Sequence, residues 1–222
     1  MDVKQLPRAS AAAGKRARNP RGQGSRLRTE ILDAAGEILA ESGDPRQLSL
    51  RSVARRASIA ATSVYLHFTD VGELTSAVAE RDFQELARAI ARAYRVHADP
   101  GLALLAGCKA YCRFGIRKPG HYRVLFEIER PDLGPGRAYS LEQSGGGPIL
   151  EALVAAIERC RSSGVASPGT DARLAATSLW SSLHGIVSLR LNRPRFPWPS
   201  LDQLVDVSVR RLVGLHDDSH AP

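Results

Sequence analysis

From Leu27 to Leu215 the apolar residues recur at intervals of three and four, and clusters of Gly, Pro, Ser and Asp interrupt the rhythm. Spacing of this kind lays a stripe along one face of an α-helix, whereas a half-buried strand needs strict alternation. Leu27, Ile31, Ala34, Ala35, Ile38 and Leu39 make the first stripe, and Gly43–Asp44–Pro45 ends it. Ser49 is placed to cap a short helix bearing Leu50, Val53 and Ala54, and a second short segment runs from about Ala60 to Leu66. Asp70 and Glu73 have capping-box spacing and open a long helix carrying Leu74, Val78, Phe83, Leu86 and Ile90. Further helices are expected over 102–117, 122–128, 149–160, 171–191 and 201–215. The breaks between them are Pro119–Gly120, a Gly/Pro-rich stretch over 131–148, Ser163–Gly164 with Ser167–Pro168–Gly169, and the Pro194–Pro199 cluster. No strand pair with hairpin-turn residues and no internal repeat is evident, so the expected fold class is all-α.

Charge is distributed unevenly along this frame. Residues 1–28 hold eight cations against Asp2, a net +7 of the chain's +8, which leaves +1 for everything after them. Residues 1–25 therefore read as a flexible basic arm of the sort that contacts nucleic acid or an anionic surface, with a solubilising tail as the plainer alternative. Three cysteines do not complete a disulfide framework, which favours a reducing, cytoplasmic setting. No run approaches the roughly 20 apolar residues of a membrane span, and no apolar stretch follows the N-terminal charge as in a secretory signal.

Between Pro45 and Thr69 the chain has four arginines (Arg46, Arg51, Arg55, Arg56) and no Asp or Glu. Two short helices without acidic repulsion suit entry into a major groove about 12 Å wide, although a corner of a helical bundle has the same pattern. The stretch from Leu48 to Phe68, closed by Thr69-Asp-Val-Gly-Glu-Leu74, resembles the DNA-binding segment of the TetR family of transcriptional regulators. Val53–Ala54–x–x–Ala57 and the ending Val64–Tyr65–x–His67–Phe68 are its specific parts. The resemblance covers about fifty residues from Leu27 onward, and the chain's length and helical remainder agree with the family. More loosely, Tyr122–Arg–Val–Leu–Phe126 and Trp180–Ser–Ser–Leu–His184–Gly185 resemble a subgroup whose C-terminal domain carries a tryptophan followed by a His–Gly pair.

The resemblance implies a head over 26–72, a helical effector-binding and dimerisation domain over 73–216 and a short disordered tail over 217–222. It implies that Thr62 and Ser63 face base edges or phosphates, that Tyr65 and His67 contact the phosphate backbone, and that Val53, Ala54, Val64, Phe68 and Leu74 are core. Arg51 and Arg55 are electrostatic candidates, joined by Arg26 at the base of the arm. Three positions depart from the family pattern: Ser58 stands where the turn glycine is usual, Ala60 replaces the capping hydroxyl, and Val71 replaces a phosphate-contacting lysine. A serine at positive φ costs about 1 kcal/mol.

The family also implies a small-molecule effector inside the second domain. Candidate cavity residues are Phe83, Leu104, Cys108, Tyr111, Phe114, Tyr122, Phe126, Trp180, Leu183 and His184, each of which reads equally as ordinary core. The Gly-rich stretch from Gly134 to Gly147 is either a mobile entrance to that cavity or a linker. Leu183, Val187 and Leu191, with Leu204, Val205 and Val209, are candidates for a four-helix dimer interface that would set two heads on a palindromic operator. Cys108 and Cys112 share a helix face but have no convergent further ligands, and no H-E-x-x-H, phosphate loop or Ser-His-Asp set can be assembled. The expectation is a homodimeric, sequence-specific regulator of double-stranded DNA, a repressor rather than an activator, released by a small-molecule effector, with no metal, cofactor, membrane association or enzymatic activity. The alternatives are a helical adaptor that has lost specific DNA binding and, more weakly, a basic-arm protein on anionic membrane.

Overall fold

The computed structural model describes residues 24–127, 145–169 and 171–216. Most of the expected arm, the 131–144 part of the Gly/Pro stretch and the 217–222 tail lie outside the described residues. Among the described residues are nine α-helices. They are α1 Gly24–Ser42, α2 Leu50–Arg56, α3 Ala61–Tyr65, α4 Val71–Tyr94, α5 Pro100–Arg117, α6 Pro119–Phe126, α7 Gly147–Ser162, α8 Ala172–Asn192 and α9 Leu201–Val213, with one 3₁₀ turn at Pro45–Gln47. No strand is found among them; a lone antiparallel bridge, Ala166 to Leu215, ties the α7–α8 loop to the end of α9.

Side chains that satisfy the first backbone N–H groups fix where several helices begin. Ser49 accepts from the Ser52 N–H at 3.0 Å and Ser52 returns the contact at 2.9 Å, a capping box built from two serines. Asp70 accepts from the Glu73 N–H at 2.8 Å, while the Glu73 carboxylate turns back to the Thr69 N–H at 2.7 Å. Asp99, Asp171 and Ser200 cap α5, α8 and α9 in the same way. Caps of this kind are worth about 1 kcal/mol each. Pro119 starts α6 one residue after Lys118 ends α5, so α6 begins earlier than the apolar spacing suggests and closes at Phe126.

The helices form two connected cores. Ile31, Leu39, Val53, Val64, Phe68 and Leu74 are fully or almost fully buried and lock α1, α2 and α3 onto the first turn of α4. Each such side chain contributes about 1.5–3 kcal/mol on burial. The rest of α4 carries Phe83, Leu86 and Ile90 into a second layer, where α5 lies against α4, α7, α8 and α9. The short α6 is wedged against α1, α4 and α5 and so belongs to both cores. Arg123 donates to the Gly43 carbonyl at 2.5 Å, and a Cβ added to Gly120 would stand 2.3 Å from the Leu39 carbonyl oxygen. Behind this seat His121 Nδ1 and Asp82 meet at 2.8 Å, both buried, and Arg81 donates to the Leu32 carbonyl at 2.8 Å.

Candidate nucleic-acid interface and effector cavity

The connection between α2 and α3 is a left-handed turn. The Ile59 N–H bonds the Ala54 carbonyl at 3.0 Å and the Ser58 N–H bonds the Arg55 carbonyl at 3.2 Å, the double closure of a Schellman motif. That motif places its linking residue at positive φ, and Ser58 sits at φ 55°. The turn keeps its geometry without the glycine and carries roughly 1 kcal/mol of strain. Ala60 stands at the N-cap of α3 and supplies no side-chain bond, so the short helix is held by Val64 and Phe68 beneath it rather than by its cap.

With Val64 and Phe68 turned inward, Thr62 and Tyr65 are exposed, and Ser63 and His67 are half-buried at the rim. Leu66, absent from the expected DNA-facing set, is 83% exposed. Its signal was present: Val64 and Phe68 occupy the buried stripe four apart, which turns the position between them outward. The four arginines of this region separate into two kinds. Arg46 pairs with Asp44 and Arg56 clasps Glu37 and Glu41 of α1, and these hydrogen bonds hold the Asp44 and Glu41 carboxyls below their ordinary range. Arg51 and Arg55 are exposed and have no ion-pair partner among the described residues. Arg26 is exposed and reaches Glu30 at 3.1 Å. A Cβ on Gly24, where α1 begins, would lie 3.9 Å from His67, so the chain leading from the arm enters the fold beside α3. Val71 is 44% exposed at the start of α4 and leaves that position uncharged.

In the second core a narrow apolar cavity of about 40 Å³ lies between α4, α5, α7 and α8. Six of the ten expected residues line it: Phe83, Cys108, Tyr111, Phe126, Trp180 and Leu183. Leu104 is ordinary core, and Phe114 faces a wider open groove of about 690 Å³ between α4, α5 and α9, under Lys118. Tyr122 and His184 stand behind the cavity wall, and the wall is completed by residues the sequence reading left out, chiefly Leu86, Ile90 and Tyr94 of α4 and Ile149, Leu150 and Leu153 of α7. Four polar groups make a continuous chain along this wall. Trp180 Nε1 donates to the Tyr111 hydroxyl at 3.2 Å, the Tyr111 and Tyr122 hydroxyls are 3.1 Å apart, and Tyr122 meets His184 Nδ1 at 2.7 Å. Burial holds His184 below its ordinary pKa despite Glu127 nearby. Burial also pushes the thiols up, Cys112 to about 12 and Cys160 to about 11, so these side chains act as small apolar groups. Among the described residues no three His, Cys, Asp or Glu side chains converge as metal ligands, and no helix is long and apolar enough to cross a membrane.

Residues 104–214, half of the chain, match the family model described as the tetracyclin repressor-like C-terminal domain. The chain belongs to the TetR family of transcription regulators. Among solved structures, this TetR-family chain is similar to a Rhodococcus sp. RHA1 protein of unknown function, at 26% identity over 89% of this chain and 99% of that one, with a TM-score of 0.72. It is similar in fold to the fatty acid degradation regulator FadR of Bacillus halodurans, at 17% identity over 88% and 97% of the two chains and a TM-score of 0.64. SmeT, the repressor of the Stenotrophomonas maltophilia multidrug efflux pump SmeDEF, matches at 22% identity over 88% and 93%, with a TM-score of 0.63. SmeT has also been solved as a complex with triclosan.

Burial within the subunit removes four of the six residues expected at a dimer surface. Val187, Val205 and Val209 are 0% exposed and Leu183 is 3%, because α8 and α9 turn these residues toward α5 and each other. They have no surface left to offer a second subunit. Leu191 and Leu204 are half-buried at the edge of that packing. The outward apolar residues are Leu174 and Leu189 on α8 and Val207 and Leu212 on α9, all more than two-fifths exposed. Between the two on α8 lies a run of small residues, Ser178, Ser181 and Gly185, and a Cβ on Gly185 would touch nothing.

Proposed function

We propose that the chain is a homodimeric transcriptional repressor whose hold on a palindromic operator is loosened when a small molecule occupies the α4–α5–α7–α8 cavity. The observation that carries this reading is the position of α6. Phe126 at its end lines the cavity and Tyr122 backs it, while Gly120 and Arg123 on the same eight residues seat on Leu39 and Gly43 of the head. A ligand that displaces Phe126 therefore moves the element on which the head rests. A cavity of about 40 Å³ is far below the roughly 300–1,000 Å³ of a drug-sized site, so occupancy requires the wall to move.

On the DNA side, Thr62 and Ser63 read base edges, and Tyr65, His67, Arg51 and Arg55 hold phosphates, with Arg26 at the base of the arm. Leu66 presents an apolar surface suited to a thymine methyl. The arm, entering beside His67, supplies the positive charge that Val71 does not. Dimerisation proceeds through the outward face of α8 and α9, built from Leu174, Gly185, Leu189, Val207 and Leu212, and it spaces two heads for two half-sites. The adaptor reading rests on Ser58, Ala60 and Val71, yet the turn at Ser58 retains its closure, so the departures leave the head's geometry standing.

Binding of duplex DNA measured by fluorescence anisotropy across salt tests the proposal. Tyr65→Phe should weaken binding to every sequence, and Thr62→Ala should relax the preference at one base position, worth about 1–3 kcal/mol against the wrong base. Deleting residues 1–23 removes six cations and Asp2. Because each phosphate contact contributes about 0.9 to the salt slope, the deletion should lower it by roughly one to two units. Equal affinity for duplex, single strand and polyanion would instead favour the adaptor.

A further inference from the structure

We infer that the cavity takes an uncharged, mainly apolar molecule carrying one hydrogen-bond acceptor, and that Tyr111 reads this acceptor through a relay ending on His184. The inference rests on the reading of this cavity as the effector site and names the chemistry that site accepts. None of the described residues lining the cavity is Asp, Glu, Lys, Arg or His. A charged ligand would be desolvated there without a counter-charge, the situation proteins avoid most strongly.

The polar part of the argument follows from proton counting. An indole N–H only donates, so the Trp180 contact makes Tyr111 an acceptor. Among the described residues each hydroxyl finds a partner if Tyr111 donates to Tyr122 and Tyr122 donates to His184 Nδ1, which leaves the imidazole proton on Nε2. Run the other way, His184 Nδ1–H donates to Tyr122 and Tyr122 donates to Tyr111. The Tyr111 proton is then left with no acceptor among the described residues, an unfavourable state at a buried site. A ligand carbonyl or ether beside Tyr111 supplies the missing acceptor and makes the reversed direction available. The Tyr111 O–H turns to the ligand, the Tyr122 O–H turns to Tyr111, and His184 carries its single proton on Nδ1. No net proton is taken up, and the half-buried ring can exchange it with solvent. Because Tyr122 belongs to α6, the reversal reaches the helix that seats the head. The acidic and basic neighbours on that side, Glu127 and its partner Arg123, stay as they are in both directions.

The test uses the full chain with Trp198→Phe, which leaves Trp180 as its one tryptophan. Three probes share a butylbenzene frame: 4-butylacetophenone is neutral with an acceptor, butylbenzene is apolar, and 4-butylbenzoate is an anion near neutral pH. The ketone is expected to change Trp180 emission saturably and to bind about tenfold more tightly than butylbenzene, with the benzoate weaker than both. Adding Tyr111→Phe should bring the ketone down to the level of butylbenzene and leave butylbenzene itself unaffected. In ¹⁵N NMR the His184 Nδ1 resonance should pass from the unprotonated to the protonated range with the ketone only. The inference is overturned if the benzoate binds as well as the ketone, if the ketone shows no advantage over butylbenzene, if Tyr111→Phe keeps that advantage, or if no probe saturates. DNA release is measured in parallel: ketone binding with the expected tautomer change but an undisturbed DNA complex supports the ligand class and removes the effector reading.

Discussion

Gly120→Ala probes the joint between cavity and head while leaving the cavity lining and the DNA-facing side chains unchanged. The added Cβ would meet the Leu39 carbonyl oxygen at 2.3 Å, a backbone atom that cannot rotate aside, with the Leu39 carbonyl carbon at 3.0 Å and Gly43 Cα at 3.2 Å. An ordinary carbon–oxygen approach is about 3.3 Å, so α1 and α6 must separate by roughly 1 Å. A gap of that size forfeits about a quarter to a half of the dispersion between the facing surfaces, and overpacked sites typically lose about 1–3 kcal/mol. The Arg123 bond to the Gly43 carbonyl, now 2.5 Å, stretches with it. For a chain of this length each kcal/mol shifts the melting temperature by about 2–4 °C, so a fall of roughly 2–12 °C is expected. Calorimetry gives the stability, and anisotropy on duplex DNA gives the affinity, which should drop although no DNA-facing residue has changed. A variant with wild-type melting, affinity and ligand response would refute the reasoning that α6 holds the head through this contact.

Three other changes follow from particular residues. Ser58→Gly relieves a left-handed strain of about 1 kcal/mol and gives back about 0.5–1 kcal/mol in unfolded-chain freedom. Chemical denaturation should show a gain of up to about 0.5 kcal/mol with DNA affinity kept, and a loss of stability would contradict the strain. Leu174→Glu and Val207→Glu should yield folded monomers by light scattering, whereas Val209→Glu, placed inside the subunit, should unfold it; a monodisperse wild-type monomer would remove the dimer argument. The sign of the His184 effect is set by its lowered pKa in the folded state: above the ordinary value of 6.5 the folded and unfolded chains are both neutral there, and below it the unfolded chain takes the proton first. Stability should therefore decline as pH falls below 6.5, and His184→Gln should flatten part of that decline in melting curves.

The head was legible because its signals are local. Ser49, Asp70 and the Val–Tyr–x–His–Phe ending each specify a cap or a buried pair within a few residues, and the structure keeps all of them. The outward face proposed for dimerisation was not, because periodicity reveals that α8 and α9 have an apolar stripe but not which neighbour covers it. Val187, Val205 and Val209 are covered by the subunit's own helices, and the outward side of α8 is masked in sequence by Ser178, Ser181 and Gly185, which read as polar. The cavity was half legible for the same reason: Phe83 and Trp180 announce themselves as aromatic, whereas Leu86, Ile90 and Leu153 look like any core residue until α7 is laid across α4. The seat of α6 depends on a missing side chain at Gly120 and a main-chain acceptor at Gly43, and neither leaves a trace in hydrophobic patterning.

Selection of genomic DNA fragments on the purified full chain, followed by sequencing, tests the central claim most directly. The account predicts enrichment of one palindromic site whose half-sites lie about one helical turn, 10–10.5 base pairs, or a multiple of it apart. It also predicts that Thr62→Ala alters the enriched half-site and that Tyr65→Phe lowers the yield without altering it. Recovery of fragments in proportion to their length alone, with no shared sequence, would contradict it.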